Sequence, residues 1–258
     1  MRKVTYFLFF TSAILIGMIG GILLKRNNLV PAVEIGTTKI VHDKQFYLID
    51  DSPFNRVGRK PIDKIILGTV ALNLPIQEGM ATVGTGVVVK TPKGVVLVTA
   101  EHVAMTAWPT PLQACSIKGG DCVNLGNRFV LETDDPLSVN IGSDWVVYSP
   151  KELPKDTVPV SIAKNEPAVG DNLWLIGMPY GRGPWVSRGN VAWKWDGDAG
   201  GMLAVTGFAA PGFSGGGVFD EKGNLTGITV AITVDPRGEP QVNQILVVPI
   251  GNIWTLGI

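Results

Sequence analysis

From residue 65 onward the apolar positions come in short runs separated by Gly, Pro, Asn and Asp. After residue 28 no long stretch carries a helical period. Short runs rich in Val, Ile and aromatic residues, bounded by turn-formers, predict strands. They fall at 65–73, 82–90, 95–99, 128–132, 144–148, 158–163, 173–177, 186–195, 202–206, 217–219, 225–233 and 244–248. Thr91-Pro92-Lys93-Gly94 joins the second and third as a hairpin, and Glu221-Lys222-Gly223-Asn224 is a later turn of the same kind. With 32 Gly and 18 Pro, the composition reinforces an all-β reading. No sequence repeat of fixed period is present, and the length allows one large β domain or two small ones sharing a cleft.

The N-terminus is different. Residues 5–24 are uncharged and lie between Arg2-Lys3 and Lys25-Arg26. Twenty such residues match the span of a membrane-crossing helix. A cleaved signal, with a shorter core of about 7–15 residues, is the alternative, although no small-residue exit stands near Gly20-Gly21. Gly17 and Gly21 form a Gly-x-x-x-Gly step that would let two such helices approach. The expected organisation is an anchor or signal at 1–28, a tether at 29–61, and a β body divided at 62–160 and 161–258. His42 falls in the tether and reads as a surface or locally bonded histidine.

Charge changes the picture only by exclusion. Lys+Arg and Asp+Glu both number 22, which gives no general attraction to nucleic acid. Two histidines, His42 and His102, argue against a histidine-built metal centre, and no metal or cofactor is expected. Cys115 and Cys122 lack the paired C-x-x-C spacing of zinc sites. A local disulfide fits better in an oxidising compartment, with two free thiols as the alternative. That compartment favours an extracytoplasmic body, periplasmic or extracellular, on a single-pass anchor, or a secreted body if the segment is removed.

The candidate chemistry centres on Pro211-Gly212-Phe213-Ser214-Gly215-Gly216-Gly217. Glycines let a turn push a hydroxyl outward and aim backbone N–H groups at one point. A hydroxyl needs a neighbouring base to act as a nucleophile. His102 supplies one, at the end of the strand before Thr99-Ala100-Glu101-His102-Val103. Asp144, at the start of an apolar strand, is the matching carboxylate. Asp134 and Asp135 are rivals in a polar loop.

Thr-Ala-Glu-His at 99–102 and Gly-Phe-Ser-Gly-Gly at 212–216, with Asp144 between them, resemble the motifs of trypsin-like, chymotrypsin-fold serine proteases. Residues 216–228, 247–250 and 167–181 look closest to short bacterial Deg/HtrA-type members, without the PDZ domain that many of them carry. The resemblance covers most of 65–258. It implies two six-stranded antiparallel Greek-key barrels with the active site in the cleft between them. It implies a serine endopeptidase acting on protein or peptide substrates without a cofactor. His102, Asp144 and Ser214 would form the triad, and the N–H groups of Gly212 and Ser214 the oxyanion hole.

The departures from the family carry their own expectations. Val103 stands where many animal members have cysteine, and Glu101 replaces a commoner small residue. Phe213 stands where zymogen-type relatives have aspartate, so activation by a freed N-terminal ammonium is not expected. Phe208, Ala209 and residues 230–233 carry no charge. If they line the first pocket, a small or apolar residue precedes the cut bond; the alternative is ordinary barrel core. A catalytically silent scaffold that binds a protein partner is the competing reading of the whole chain.

Overall fold

The computed structural model describes residues 56–76, 79–106, 110–118, 121–125, 128–129, 144–195, 201–234 and 240–251. The expected membrane segment, the tether with His42, and Asp134 and Asp135 lie outside them. Among the described residues no helix is long and apolar enough to cross a membrane.

The body opens with helix α1 (Arg56–Leu67). Ile65, expected to start a strand, lies in the last turn of this helix with its side chain fully buried. The Gly68 N–H donates to the Lys64 carbonyl at 3.0 Å, and the Thr69 hydroxyl to the Ile65 carbonyl at 2.7 Å. These bonds occupy carbonyls that the helix end leaves open, and the strand begins only after them. A short Ile-Ile-Leu run suits a buried helix turn as well as a strand, so periodicity alone could not separate the two.

Seven strands follow in the first sheet: β1 (Thr69–Ile76), β2 (Gly79–Thr91), β3 (Gly94–Thr99), β4 (Gln113–Ser116), β5 (Cys122–Asn124), β6 (Arg128–Phe129) and β7 (Val146–Tyr148). Their order is β5-β4-β1-β2-β3-β7-β6, which does not close among the described residues. The expectation of a closed six-stranded barrel is therefore met here by an open seven-stranded sheet. The short helix α2 (Glu101–Thr106) follows β3 directly. Strands β4 and β5 were not predicted, because Gln-Ala-Cys-Ser and Cys-Val-Asn hold too few apolar residues to make a run. Their hairpin sets Cys115 opposite Cys122, and the two sulfurs are bonded as expected.

The second half is the expected six-stranded barrel. Its strands are β8 (Asn172–Gly177), β9 (Trp185–Trp195), β10 (Met202–Val205), β11 (Gly217–Phe219), β12 (Leu225–Val234) and β13 (Pro240–Pro249). They close in the order β10-β13-β12-β11-β8-β9. The segment 158–163 is not a strand. It makes two single-residue parallel bridges, Val160 to Val89 and Ile162 to Leu225. It thus leaves the first sheet and joins the second within three residues.

The packing follows the same seam. One apolar cluster unites Val87, Val89, Leu97, Val98 and Val103 of the first sheet and its helix with Ile176, Phe219, Leu225, Ile228 and Val248 of the barrel. A second fills the barrel interior, with Leu173, Leu175, Leu203, Val205, Phe213, Val218 and Ile245.

Candidate active site

Register carries the carboxylate to the imidazole. Strand β3 pairs antiparallel with β7, with Thr99 opposite Val146. Extending that register by two residues sets Asp144 level with Glu101, next to His102. Asp144 Oδ2 lies 2.7 Å from His102 Nδ1, and Oδ1 accepts the His102 backbone N–H at 2.9 Å. The carboxylate side chain is 7% exposed and the imidazole 28%. A buried carboxylate needs such donors. Here one comes from the first turn of α2 and one from the ring that the carboxylate orients. The ring is fixed at one nitrogen and remains part-exposed.

Ser214 arrives from the other sheet, on the turn between β10 and β11. In this turn each carbonyl from 211 to 214 has a donor. The Tyr180 N–H holds Pro211 C=O at 2.8 Å, and the Gly216 N–H holds Phe213 C=O at 2.7 Å. The Thr85 hydroxyl holds Gly212 C=O at 2.6 Å, and the Thr85 N–H holds Ser214 C=O at 2.9 Å. The N–H groups of Phe213 and Gly215 are used, by Ala210 and Thr229. Those of Gly212 and Ser214 have no acceptor among the described residues. In a trans amide the N–H points opposite to the C=O. With Pro211 C=O and Phe213 C=O anchored, the two spare N–H groups face away from those anchors. A pair of open backbone donors flanking a serine is the arrangement that stabilises a developing oxyanion.

Two glycines bring the turn close to the histidine helix. A β-carbon at Gly215, where φ is +80°, would collide with Thr99 Oγ1 and Thr85 C=O. A β-carbon at Gly84 would lie 2.6 Å from Val103 Cγ1 and 3.1 Å from Ser214 C=O. The Ser214 main chain and the residue after His102 therefore pack against the same spot on β2.

Phe213 is 1% exposed and forms part of the barrel core, so it fills with hydrocarbon the place where zymogen-type relatives hold a carboxylate. Its ring meets Phe208 edge-on at 5.8 Å between centroids, and Phe208 packs on Trp185 at 4.9 Å. Phe208 and Trp185 remain 41% and 52% exposed, an apolar surface beside the serine turn. Of the suggested pocket residues, Val230 is buried and belongs to the cluster shared by the two sheets, while Ala231 packs against that cluster. A separate cavity of about 820 Å³ is lined by 161–167, 170–173 and the turn after β11, and holds none of the triad candidates. Its carboxylates are engaged: Glu166 with Lys194, Glu221 with Arg188, Asp171 with the Ala168 N–H, and Asp220 with the amides of its own turn.

Sequence reasoning missed Thr85 and Trp185. Gly84 and Gly86 on either side of Thr85, within a strand, were the available signal, since glycine in a strand marks a close backbone approach. Trp185 carried none, because only the pairing of β8 with β9 sets it near the turn. Among the described residues no group of His, Cys, Asp and Glu could hold a metal ion.

The family described as trypsin-like peptidase domain matches residues 84–228, more than half of the chain. The fold is similar to that of several solved structures, HtrA-type proteases among them. Rv3671c of M. tuberculosis, as an inactive serine-to-alanine mutant, aligns with TM-score 0.56 and 16% identity over 78% of this chain and 90% of its own. A serine endoprotease of Yersinia pestis gives 0.56 and 20%, over 76% of this chain and 64% of its own. The HtrA-type protease AlgW, solved with a tripeptide, gives 0.57 and 21%, over 75% of this chain and 60% of its own. No curated protein matches the sequence.

Proposed function

Because the chain belongs to the trypsin-like serine peptidases, we propose that it cleaves peptide bonds with His102, Asp144 and Ser214 as its triad. The observation that carries the reading is the imidazole–carboxylate contact at 2.7 Å. It is supported by the approach of Val103, next to the histidine, and of the Ser214 main chain to the same Gly84 of β2. In this family's triad, the serine Oγ attacks the substrate carbonyl carbon while the histidine Nε2 takes its proton. The oxyanion formed is received by the N–H groups of Gly212 and Ser214. As the C–N bond breaks, His102 returns the proton to the leaving amine. Water then repeats the sequence on the ester, releasing the acid and restoring Ser214. Asp144 stays ionised, holds the ring tautomer and stabilises the imidazolium.

The test is labelling by a fluorophosphonate probe together with cleavage of a quenched peptide pool. Wild-type chain should label and cleave, and Ser214→Ala should do neither while keeping its circular dichroism spectrum. A folded wild-type chain that neither labels nor cleaves defeats the proposal.

Two finer points belong to the same proposal. The aromatic surface of Phe208 and Trp185 suits an apolar residue before the cut bond, and a library digest cut mostly after Lys or Arg would oppose this. Residues 5–24 tether the enzyme, with its catalytic body outside the cytoplasm. Support comes from the length of that uncharged stretch and from the Cys115–Cys122 bond. The mature mass, read together with membrane fractionation of cells, separates a retained anchor from a removed signal.

A further inference from the structure

We infer that Thr85, on strand β2 of the first sheet, is a positioning residue for the oxyanion site: its hydroxyl locks the Gly212 peptide so that the Gly212 and Ser214 N–H groups stay aimed together. The inference rests on the triad reading above and adds to it a residue from the opposite sheet.

Thr85 is fully buried, and both roles of its hydroxyl are filled. It donates to Gly212 C=O at 2.6 Å and accepts from the Met178 N–H at 2.9 Å. A hydroxyl has a single proton, so the polarity of this relay is fixed by its two amide partners. The main chain of the same residue donates to Ser214 C=O at 2.9 Å, and its carbonyl accepts the Thr99 hydroxyl at 2.7 Å. One side chain and its own backbone thus grip the carbonyls of both residues whose N–H groups are open.

Gly212 is where such a grip matters. Its φ is +101°, and a β-carbon there would collide with Met178 C=O. A glycine has no side chain to resist rotation of its flanking amides. The amide before it is held at Pro211 C=O by Tyr180, a non-glycine residue at φ +54°. The amide after it lies between the two amides that carry the open N–H groups. It is held at the Phe213 N–H by Ala210 C=O and at Gly212 C=O by the Thr85 hydroxyl, the one side chain in the clamp. The two clamps are linked, because Met178 bonds that hydroxyl while its carbonyl accepts the Gly181 N–H, closing the Pro179–Gly181 turn that presents Tyr180. Rotation of the first amide would turn the Gly212 N–H off its target, and rotation of the second would swing Phe213 and the Ser214 N–H that follows it.

The experiment compares three purified full-length chains on a quenched peptide cut by the wild type. Thr85→Val keeps the shape and removes the hydroxyl. Thr85→Ser keeps the hydroxyl and removes the methyl. Misplacement of a catalytic group by about 1 Å can cost ~100-fold. Thr85→Val should therefore lower kcat about 10- to 100-fold with KM within about threefold, while Thr85→Ser stays within about threefold of wild type in both. Affinity for a peptidyl boronate, which forms the tetrahedral adduct, should fall in step with kcat/KM. Should Thr85→Val not accumulate as folded protein, Thr85→Ala against Thr85→Ser reads the same contrast. A Thr85→Val enzyme with wild-type kcat overturns the inference, as do equal losses in the Ser and Val variants. A deficit that vanishes once activity is counted per folded molecule overturns it as well. Ser214→Ala run alongside separates the failures: cleavage that survives it removes the triad reading itself.

Discussion

Asp144 makes two bonds with different meanings. Through Oδ1 it ties down a backbone N–H, and through Oδ2 it decides which nitrogen of His102 carries the proton. Asp144→Asn would keep the first by presenting its amide oxygen to the backbone. Its NH₂ group would then face Nδ1 and force the proton to Nε2, where no base remains for Ser214. The expected result is near-native stability with kcat lower by about 10⁴-fold, the loss that follows tautomer reversal in this family's triad. Peptide hydrolysis and thermal melting of the variant measure both. Gly215 tests the other side of the seam. With φ at +80° and a β-carbon colliding with Thr85 C=O and Thr99 Oγ1, Gly215→Ala must strain the turn or push it off β2. Left-handed strain at a non-glycine residue costs about 1–3 kcal/mol, and the collision adds to it. Melting temperature and fluorophosphonate labelling should therefore fall together. The proposed triad residues His102, Asp144 and Ser214 stood out in the sequence because each sits beside a strand whose apolar run is easy to find. Thr85 was not, since its value comes from a partner 127 residues away.

At the scale of elements, the hairpin of β4 and β5 shows why part of the fold escaped prediction. Both strands are short, β4 largely buried and β5 exposed on either side of Val123, and a covalent bond joins them where neither carries a run of hydrophobic alternation. The cysteines disclosed the loop while the strands stayed hidden. The hairpin is also wired inward. Cys115 Sγ accepts from Asn73 Nδ2 at 3.1 Å, and Cys115 packs with Ala71 and Met178 in one small cluster. Closing a ring that short removes chain entropy from the unfolded state worth about 2–3 kcal/mol. Cys115→Ala with Cys122→Ala should lower unfolding free energy by about that amount, with little change in the urea m-value. Urea titration of wild type with and without reductant should give the same difference, and a midpoint indifferent to reductant would remove the hairpin from the stability account. The first sheet was expected to close and does not among the described residues. Sequence reveals strand existence through local pattern, whereas closure depends on the register and tilt of strands far apart in the chain.

The two sheets are chemically one object. Residues Ser52–Ile258 form a single compact unit. The larger apolar cluster runs through both sheets, and the segment 158–163 bonds to each in turn. At its far end Leu225 is fully buried. Its N–H donates to Ser161 C=O at 2.8 Å, and its carbonyl accepts the Ala163 N–H at 2.9 Å. A site assembled from His102 and Asp144 on one sheet and Ser214 on the other requires this, because a hinge would separate the base from its alcohol. Leu225→Ala removes buried hydrocarbon from the shared cluster and leaves those backbone bonds in place. Large-to-small changes of this kind cost about 2–5 kcal/mol. If the sheets unfold as one unit, the loss is felt on both sides. Hydrogen exchange should then show amides of β3 and of β12 losing protection by the same factor, although Leu225 lies in β12 alone. If the halves were independent, β3 would keep its protection and only the barrel would weaken. Equal loss in both strands makes the catalytic geometry a property of the joint fold, and unequal loss returns it to two domains that meet.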